Sequence, residues 1–430
     1  MGREPAGSSW GEGVIQREIA IVGAGVAGLA SAILLSRQGH RVTLYERFDR
    51  PQALGSGLMM QPTGLVALQR LGLCHELEAL GHRIERLHGL TARGTVVFDL
   101  AYGDLAPGLH ALAVHRAALH AVLWNGFTRS GAVLESGREI LSVAEQAGGR
   151  SAPVDARGRV LPAADLIIDA SGARSPLRPL VTSRHPRPFC YGAVWATVPD
   201  HGFAAGMLAQ RYVAARIMIG YLPLGRMGAD HPACAALFWS LKPDAYSSWH
   251  DGFERWRDEA AQLWPELAPV LARLTGPEEF TLARYAHFTA ARLSRAGVVL
   301  VGDAAHVTSP QLGQGANQGL IDAVVLSDAL AACGEVGEAL ALYARLRCRH
   351  VRFYQQASAL MTPFFQSDSR VFGALRDASF RHLKLVPHLH HEMIRTLAGL
   401  KTGLMTAAAA DAIVNCVPAS AEPLRVSVAR

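Results

Sequence analysis

The chain has 430 residues, of which 50% are hydrophobic and 18% charged, and its formal net charge is +6. This length predicts two domains or one domain with a large insertion, and the composition excludes a disordered chain. Arginines are spread along the chain without a dense basic block, so no nucleic-acid partner is predicted. No apolar run approaches the roughly 20 residues of a transmembrane segment. The six isolated cysteines, with no C-x-x-C pair, favour a reduced, cytoplasmic protein.

The first predicted unit, residues 18–47, is a strand, a glycine turn, a helix and a second strand that ends in an acid. Gly23 permits the tight turn, Gly25 lets the backbone approach a pyrophosphate, and Gly28 lets the helix pack close to the sheet. The helix N-terminus offers unpaired N–H groups to phosphates, and Glu46 lies where a carboxylate accepts ribose hydroxyls. The unit therefore predicts a bound adenine dinucleotide.

The middle of the chain is rich in strand patterns. Residues 132–162 predict a small antiparallel meander punctuated by glycines, and residues 166–169 predict a short buried strand. Between residues 185 and 285, strand-like runs alternate with turns, with a helix at about 251–264. This stretch predicts a mostly antiparallel sheet inserted into the nucleotide-binding fold.

A second strong motif follows a buried strand predicted at 298–301. Its members are Gly302-Asp303-Ala304-Ala305-His306, Pro310, Gly313-Gln314-Gly315, Asn317 and Asp322-Ala323. A carboxylate at the end of a buried strand can hold a polyol hydroxyl, and glycines before a helix free backbone N–H groups that stabilise negative charge. Helices are predicted after it at 315–332, 337–360 and 369–400.

The second motif resembles the single-component FAD-dependent aromatic hydroxylases of the p-hydroxybenzoate hydroxylase fold. The resemblance covers about residues 18–355 and includes His115-Arg116-x-x-Leu119 and Gly172-x-x-Ser175-x-x-Arg178 in family order. It implies an α/β fold, in which a Rossmann-like FAD-binding domain carries an inserted, mostly antiparallel β-sheet substrate domain and C-terminal helices.

The resemblance also implies a role for each matched residue. The ADP half of FAD is assigned to Gly23, Gly25, Val26, Ala27, Gly28 and Glu46. Arg47 and Arg116 are expected along the phosphates or the ribityl chain, and Asp303 on the ribityl hydroxyls. The isoalloxazine ring is expected to face Gly313, Gln314, Gly315, Ala316 and Asn317. Pro310 is expected beside the flavin and near the substrate, and His306 is predicted to be a packed structural histidine.

The implied reaction is a monooxygenation in which NADPH or NADH reduces FAD, O₂ adds to give a flavin C4a-hydroperoxide, and one oxygen passes to an electron-rich aromatic or heteroaromatic small molecule. The protein must exclude water and position that substrate. Candidate residues of the substrate wall are Trp195, Tyr212, Met218, Tyr221 and Phe238. Alternation with period two places Met218 with Gly220 on one face of a strand, but it does not say which face is the pocket.

One position departs from the family pattern. The usual G-A-D-G-x-x-S-x-x-R reads Asp169-Ala170-Ser171-Gly172 here, so Ser171 replaces the usual acid. A similar run occurs in FAD-dependent halogenases and in two-component epoxidases, which receive reduced flavin from a reductase partner. Both alternatives therefore stay open, as does a flavin-dependent double-bond reductase, although no halogenase W-x-W signature occurs. A non-catalytic FAD-binding scaffold is a weaker alternative.

The predicted organisation divides the chain into five parts. These are a flexible tail at 1–17, an FAD-binding domain at 18–84, 101–180 and 288–360, a substrate-binding sheet domain at 85–100 and 181–287, C-terminal helices at 361–416, and a loose tail at 417–430. His388, His390, His391 and Glu392 form a cluster that favours a basic solvated face over a metal site. The sequence does not determine the oligomeric state.

Overall fold

A computed structural model describes residues 15–50, 55–383 and 385–417. Most of the two predicted tails therefore lies outside the described residues. The strands are β1 Glu18–Val22, β2 Arg41–Tyr45, β3 Gly57–Met60, β4 His82–Ile84, β5 Arg86–Thr91, β6 Val96–Ala101, β7 Ala111–His115, β8 Val133–Glu135, β9 Ile140–Glu145, β10 Ser151–Asp155, β11 Leu166–Asp169, β12 Arg187–Pro199, β13 Met207–Val213, β14 Ile217–Arg226, β15 Ala233–Leu241, β16 Thr281–Thr289, β17 Ser294–Arg295, β18 Val298–Leu300 and β19 His306–Val307.

Long helices cover one face of the first sheet, whereas the β9–β10 hairpin and the short helix Arg178–Val181 pack against the other face. The helices are α1 Val26–Arg37, α2 Pro62–Arg70, α3 Cys74–Glu78, α4 Arg116–Thr128, α5 Arg178–Val181, α6 Tyr246–Asp251, α7 Phe253–Leu263, α8 Ala268–Leu271, α9 Gly315–Ala332, α10 Val336–Phe365, α11 Arg370–Leu383, α12 Pro387–Leu397 and α13 Ala410–Val414. No helix of the described segments is long and apolar enough to cross a membrane.

The first sheet is the parallel sheet of the nucleotide-binding fold, with strand order β17-β18-β11-β1-β2-β8. Its central strands are buried along their whole length, as in parallel sheets that are covered on both faces. Only the edge strand β17 runs antiparallel, against β18. The first glycine motif follows β1, and the second follows β18. Because both strands run parallel to β11, the two motifs lie at the same edge of the sheet, where these strands end.

The predicted meander at 132–162 is wrong in its first part. Residues Val133–Glu135 pair in parallel with β2 and extend the nucleotide-binding sheet. Within this stretch, β9 and β10 pair as an antiparallel hairpin. A strand of three residues carries too little periodicity to reveal which sheet it joins.

The second large sheet is mostly antiparallel, as predicted, with order β19-β16-β12-β15-β14-β13-β5-β6. The hairpin β5–β6 joins it through a parallel pairing of β5 with β13. One face packs against α6, α7 and α8 through a tryptophan-rich cluster that includes Trp239, Trp249 and Trp256. The other face turns toward the nucleotide-binding domain and the C-terminal helices.

The C-terminal helices differ from their predicted bounds. The helix α10 runs through the predicted boundary at residue 360 and ends at Phe365. The predicted helix at 369–400 is two helices, and Pro387 occupies the first turn of the second. Proline lacks the N–H that a continuous helix would need at this point and is favoured in a first turn.

Candidate functional site

One cavity of about 1770 Å³ lies between the two large sheets and the C-terminal helices. Pockets for a single drug-sized ligand measure about 300–1,000 Å³, so this volume accommodates a dinucleotide together with a second molecule. Its wall includes Gly25 from the first motif, Asp303 and Pro310 from the second, and Phe238 from the antiparallel sheet. The fold therefore joins the predicted cofactor and substrate sites in one space.

The glycine turn after β1 has the shape that phosphate binding requires. Gly23 has a φ of +101°, and a Cβ there would lie 2.7 Å from the Ala170 carbonyl oxygen. A Cβ at Gly28 would lie 1.9 Å from the Gly23 oxygen, so α1 approaches the turn closely. Gly25 is the N-cap of α1, makes no side-chain cap and lines the cavity with Val26 and Ala27. The first N–H groups of α1 therefore have no partner within the helix and lie at the cavity.

Glu46 bonds to this turn, although neither Glu46 nor Arg47 lines the cavity itself. The Glu46 Oε2 atom accepts a hydrogen bond from Ala24 N–H at 2.7 Å, and its Oε1 atom accepts one from Phe48 N–H at 3.1 Å. A carboxylate accepts up to about four hydrogen bonds, so capacity for ribose hydroxyls remains. Arg47 is exposed, and its guanidinium lies 4.6 Å from the centre of the Phe48 ring.

Asp303 follows β18 in a single 3₁₀ turn and presents its side chain to the cavity. Burial raises the pKa of its carboxyl, whereas His306, Arg116 and Arg178 act in the opposite direction. Arg116 begins α4 and lines the same cavity. An acid and a guanidinium therefore face the space between the two glycine motifs, as binding of a ribityl chain and a phosphate requires.

Arg178 secures the loops around Asp303. It is buried and donates to the carbonyl oxygens of Ala304 at 2.9 Å, Asp303 at 3.0 Å and Ala173 at 2.9 Å. Its guanidinium also lies 4.4 Å from the centre of the Phe288 ring. The third motif is thus tied to the second through backbone carbonyls, and this role could not be read from the motif spacing.

His306 occupies a structural position, as predicted. Its Nε2 atom lies 2.7 Å from Oδ2 of Asp322, which also accepts the Gly302 N–H at 2.8 Å. Arg347 of α10 donates to Asp322 Oδ1 at 2.6 Å. Burial alone would raise the pKa of Asp322, but His306 and Arg347 hold it well below its usual range. This network fixes the turn that presents Asp303.

The loop before α9 brings most of the predicted flavin-facing residues to the cavity. Pro310, Gly313, Gln314, Gly315 and Ala316 all line it, and α9 begins without a side-chain cap. Gly313 adopts the left-handed conformation, with a φ of +60°. The helix N-terminus therefore faces the cavity with free N–H groups and positive potential.

Asn317 is the one member of the predicted flavin-facing set that does not line the cavity. The side chain is buried outside the cavity wall, where Oδ1 accepts the Gln61 N–H at 2.8 Å. Its Nδ2 donates to the carbonyl oxygens of Met59 at 3.0 Å and Gly313 at 2.8 Å. Asn317 therefore holds the flavin-motif loop against β3.

Ser171 supports a buried carboxylate. Asp169 accepts hydrogen bonds from the Ser171 N–H at 3.1 Å, from the Ser171 hydroxyl at 2.5 Å and from the Ser175 hydroxyl. Burial raises the pKa of Asp169, and the two serines act in the opposite direction. Where the family has an acid, Ser171 here donates hydrogen bonds to Asp169, an acid two residues earlier. Gly172 still lines the cavity.

The backbone at three glycines tests whether FAD fits the cavity. A Cβ added at Gly25, Gly172 or Gly315 would meet no atom within 4 Å, and all three residues line the cavity. Open space over the backbone at two helix N-termini and one loop is the shape that a dinucleotide needs for close approach. The donor set fits FAD, because N–H groups, Arg116 and Asp303 match its phosphates and polyol.

Four of the five predicted substrate-wall residues line the cavity: Trp195, Tyr212, Met218 and Phe238. The rings of Trp195 and Phe238 lie 4.4 Å apart between centres, and Trp195 Nε1 donates to the Tyr285 hydroxyl at 3.0 Å. Tyr285 also lines the cavity and was missed, because a lone tyrosine in a strand carries no motif.

The prediction for Tyr221 is wrong. Its hydroxyl donates to Asp200 at 2.8 Å, and its ring lies 4.4 Å from that of Phe203, within the cluster beneath α6, α7 and α8. Successive residues of a strand point to opposite faces, so Met218 and Tyr221 lie on opposite sides of β14. The alternation of side chains along β14 predicts which residues share a face of the strand, but it does not predict which face lines the pocket.

The C-terminal helices form a wall that sequence reasoning also missed. Phe353 and Met361 of α10, Phe380 of α11 and Met393 of α12 line the cavity. The proposed basic face at 388–392 is partly engaged, since His390 Nε2 lies 2.7 Å from Asp104 and Glu392 pairs with Arg395 and Lys401. Helical apolar residues without a motif resemble ordinary core, so no signal separated them from it.

Comparison with known proteins agrees with this geometry. Residues 16–352 match the protein-family model described as FAD binding domain. The chain is 29% identical over 369 residues to 3-amino-4-hydroxybenzoate 2-monooxygenase of Streptomyces cremeus, covering 81% of this chain and 88% of that protein. It is 26% identical over 352 residues to the probable 2-heptyl-3-hydroxy-4(1H)-quinolone synthase AqdB2 of Rhodococcus erythropolis, covering 80% and 87%. The solved structure of Klebsiella pneumoniae HpxO complexed with FAD and uric acid shares the fold, with a TM-score of 0.75 at 21% identity over 88% of this chain and 97% of that chain.

Proposed function

The chain belongs to the FAD binding domain family, and from that premise we propose that this FAD-dependent monooxygenase uses O₂ and NAD(P)H to hydroxylate an aromatic or heteroaromatic small molecule. The observation that carries the proposal is the composition of this cavity. The cavity joins two open helix N-termini and Asp303 to an aromatic face of the inserted sheet. A cofactor and an aromatic substrate can therefore meet in one space.

The proposed cofactor contacts follow from the donors and acceptors at the cavity wall and from Glu46 beside the first glycine turn. The N–H groups that open α1 would bind the pyrophosphate, and Glu46 the ribose of the adenosine. Arg116 and Asp303 would lie along the phosphates and the ribityl chain. The loop from Gly313 to Ala316 would face the pyrimidine edge of the flavin, where the N-terminus of α9 stabilises negative charge. FAD, when bound there, supplies the redox chemistry and the activation of O₂.

The contribution of the protein's own residues is positioning and exclusion of water. The tilted rings of Trp195 and Phe238 form an aromatic wall, and Trp195 is fixed by its hydrogen bond to Tyr285. Tyr212 and Pro310 face the same cavity from the sheet and from the flavin-motif loop. An aromatic ring held between these surfaces would be oriented toward the flavin in a site of low polarity.

The proposal includes direct reduction by NADPH or NADH without a separate flavin reductase. It also includes a cytoplasmic location, where nicotinamide cofactors are available and thiols stay reduced. The six cysteines, all of which are free, support that location.

The function is tested with purified protein under ¹⁸O₂. We expect FAD to co-purify, and we expect one compound of a phenol, aminobenzoate, indole and quinolone panel to stimulate NAD(P)H oxidation and to gain one ¹⁸O atom by mass spectrometry. Nitro-substituted analogues, whose rings are electron-poor, serve as controls and should gain none. Absence of FAD, or NAD(P)H oxidation that yields only hydrogen peroxide with every panel member, would count against the proposed function.

A further inference from the structure

Beyond the aromatic wall, the cavity is lined by residues of the C-terminal helices, and we call this part of it a second compartment. Four aromatic rings follow one another from the wall toward α11. The distance between ring centres is 6.1 Å for Tyr212 and Phe98, 6.2 Å for Phe98 and Phe365, and 6.0 Å for Phe365 and Phe380. All four residues line the cavity. The compartment is therefore continuous with the proposed substrate site.

The walls of this compartment are apolar on both sides. Phe98 and Leu208 face it from the sheet, while Ala357, Met361, Phe380 and Met393 face it from α10, α11 and α12, and all six belong to one hydrophobic cluster. We call the space bounded by these six residues the distal lobe. Two of the six are methionines, whose flexible side chains adapt to ligands of variable shape.

The roof of the distal lobe is held in place by specific bonds. Arg376 of α11 is fully buried and donates to the carbonyl oxygen of Ala214, in the turn between β13 and β14, at 2.8 Å and to that of Phe364 at 3.0 Å. Gln314 of the flavin-motif loop donates through Nε2 to the Leu397 oxygen of α12 at 2.8 Å. A roof bonded to both the sheet and the flavin-motif loop encloses a built compartment.

The lobe reaches the surface at an apolar rim. Leu360, Leu404 and Met405 line the cavity, and 70%, 82% and 83% of their surface is exposed. Single exposed hydrophobic residues are ordinary on protein surfaces, but these three all line the same cavity. Such a rim can accept an apolar group that extends outward from the lobe.

We propose that the substrate is an aromatic ring bearing a long apolar tail, such as an alkyl or prenyl chain, and that the tail lies in the distal lobe. This inference rests on the proposed function, since it places the ring at the wall formed by Trp195 and Phe238. The cavity volume of about 1770 Å³ leaves room for such a tail beside a dinucleotide. Burial of the tail would supply binding energy at a distance from the reacting carbon and fix the ring in position.

The test is the chain-length dependence of binding to FAD-loaded protein. The probes are 4-alkylphenols and 2-alkyl-4-quinolones with chains from methyl to octyl, and Kd is read from the change in flavin absorbance and from calorimetry. We expect each methylene to tighten Kd by about threefold to fourfold until the chain fills the lobe.

Two variants with matched controls assign that dependence to the lobe. Ala357→Phe fills the lobe and should abolish the gain beyond short chains, whereas Ala359→Phe, on the same helix but outside the cavity wall, should preserve it. Met405→Ser at the rim should weaken binding of the longest chains only, whereas Val371→Ser, at a residue that is 73% exposed on α11, should not.

Several outcomes would overturn the inference: Kd independent of chain length, equal gains in Ala357→Phe and Ala359→Phe, or no binding by either series to protein that holds FAD. Any of these would leave the proposed function standing. Failure of the protein to hold FAD would instead defeat the proposed function, and calorimetry with the cofactor-free protein would still measure the chain-length dependence.

Discussion

Two aspartates of the second motif, nineteen residues apart in sequence, have opposite surroundings. Asp303 faces the cavity, and burial raises its pKa. Asp322 is enclosed by His306, Arg347 and the Gly302 N–H, and its pKa is held low. The motif spacing reveals both acids but not this difference, which depends on an arginine supplied by α10. The free carboxylate is the one available to a ligand.

The first prediction concerns Asp303. Asp303→Ala should weaken FAD binding by about 10- to 150-fold, because it removes a charge-assisted hydrogen bond worth about 1.5–3 kcal/mol. The measurement is the Kd of FAD by fluorescence titration of the cofactor-free protein, with thermal unfolding to verify the fold. The exposed Asp258→Asn on α7 is the matched control and should bind FAD normally. Unchanged FAD affinity in Asp303→Ala would show that this carboxylate does not contact the cofactor.

The second prediction concerns pH and His350 of α10. Burial, then Arg347, lowers the pKa of His350 to about 3, and its Nε2 atom lies 2.9 Å from the Gly399 oxygen. The unfolded state, with a pKa of about 6.5, takes up a proton that the folded state refuses, so the free energy of unfolding falls as pH falls below about 6.5. His350 alone should cost about 2 kcal/mol between pH 7 and pH 5.

Denaturant unfolding at both pH values measures this loss. His350→Gln should reduce the difference between pH 7 and pH 5 by about that amount. His250→Gln, at an exposed histidine of α6, should leave the difference unchanged. An identical pH dependence in wild type and His350→Gln would mean that His350 titrates in the folded protein as it does in the unfolded chain.

At the scale of single elements, the turn between β1 and α1 contains one glycine that folding requires and another that the proposed ligand binding requires. Gly28 is required by the close contact of the helix with the Gly23 oxygen, whereas the space over Gly25 is open. The sequence predicted both roles, because three glycines at this spacing between an apolar strand and a helix are typical of a dinucleotide-binding turn. The roles that the sequence predicts for Gly25 and Gly28 therefore agree with the packing around these residues in the structure.

The third prediction uses this contrast. Gly28→Ala should destabilise the protein by several kcal/mol, since its Cβ would overlap backbone that cannot move freely. Gly25→Ala should leave thermal unfolding of the cofactor-free protein nearly unchanged, and it should weaken FAD binding at least tenfold by obstructing the pyrophosphate. Comparable losses of stability in both variants would contradict the assignment of Gly25 to the ligand.

Other elements could not be predicted in full. The strand β8 was assigned to the wrong sheet because three residues do not encode a partner. The helix α10 extends past its predicted end and contains Pro363 in its last turn. A proline near the end of a helical pattern normally indicates that the helix stops before it. The break before α12 was missed, although Pro387 marks it. Tertiary packing determines where these helices and strands end, and the local sequence pattern carries little information about that packing.

At the scale of the whole molecule, the cavity is assembled from segments that are far apart in the chain. The cofactor half could be predicted, because glycine turns and acids at strand ends have a chemistry tied to their spacing. The substrate half could be predicted only as an aromatic sheet, and Tyr221 illustrates the ambiguity of its two faces. The roof from α10 to α12 could not be predicted, because residues such as Met361 and Met393 have no signature beyond hydrophobicity.

We propose that this protein uses NAD(P)H to reduce its own bound FAD and passes oxygen from O₂ to an aromatic substrate. The most direct test is stopped-flow measurement of anaerobic FAD reduction by NADPH and by NADH, with and without phenols, indoles and quinolones. We expect at least one nucleotide to reduce the FAD, and we expect one panel member to accelerate that reduction at least tenfold. No reduction by either nucleotide under any condition would contradict the proposal, and would indicate an enzyme that receives reduced flavin from a separate reductase.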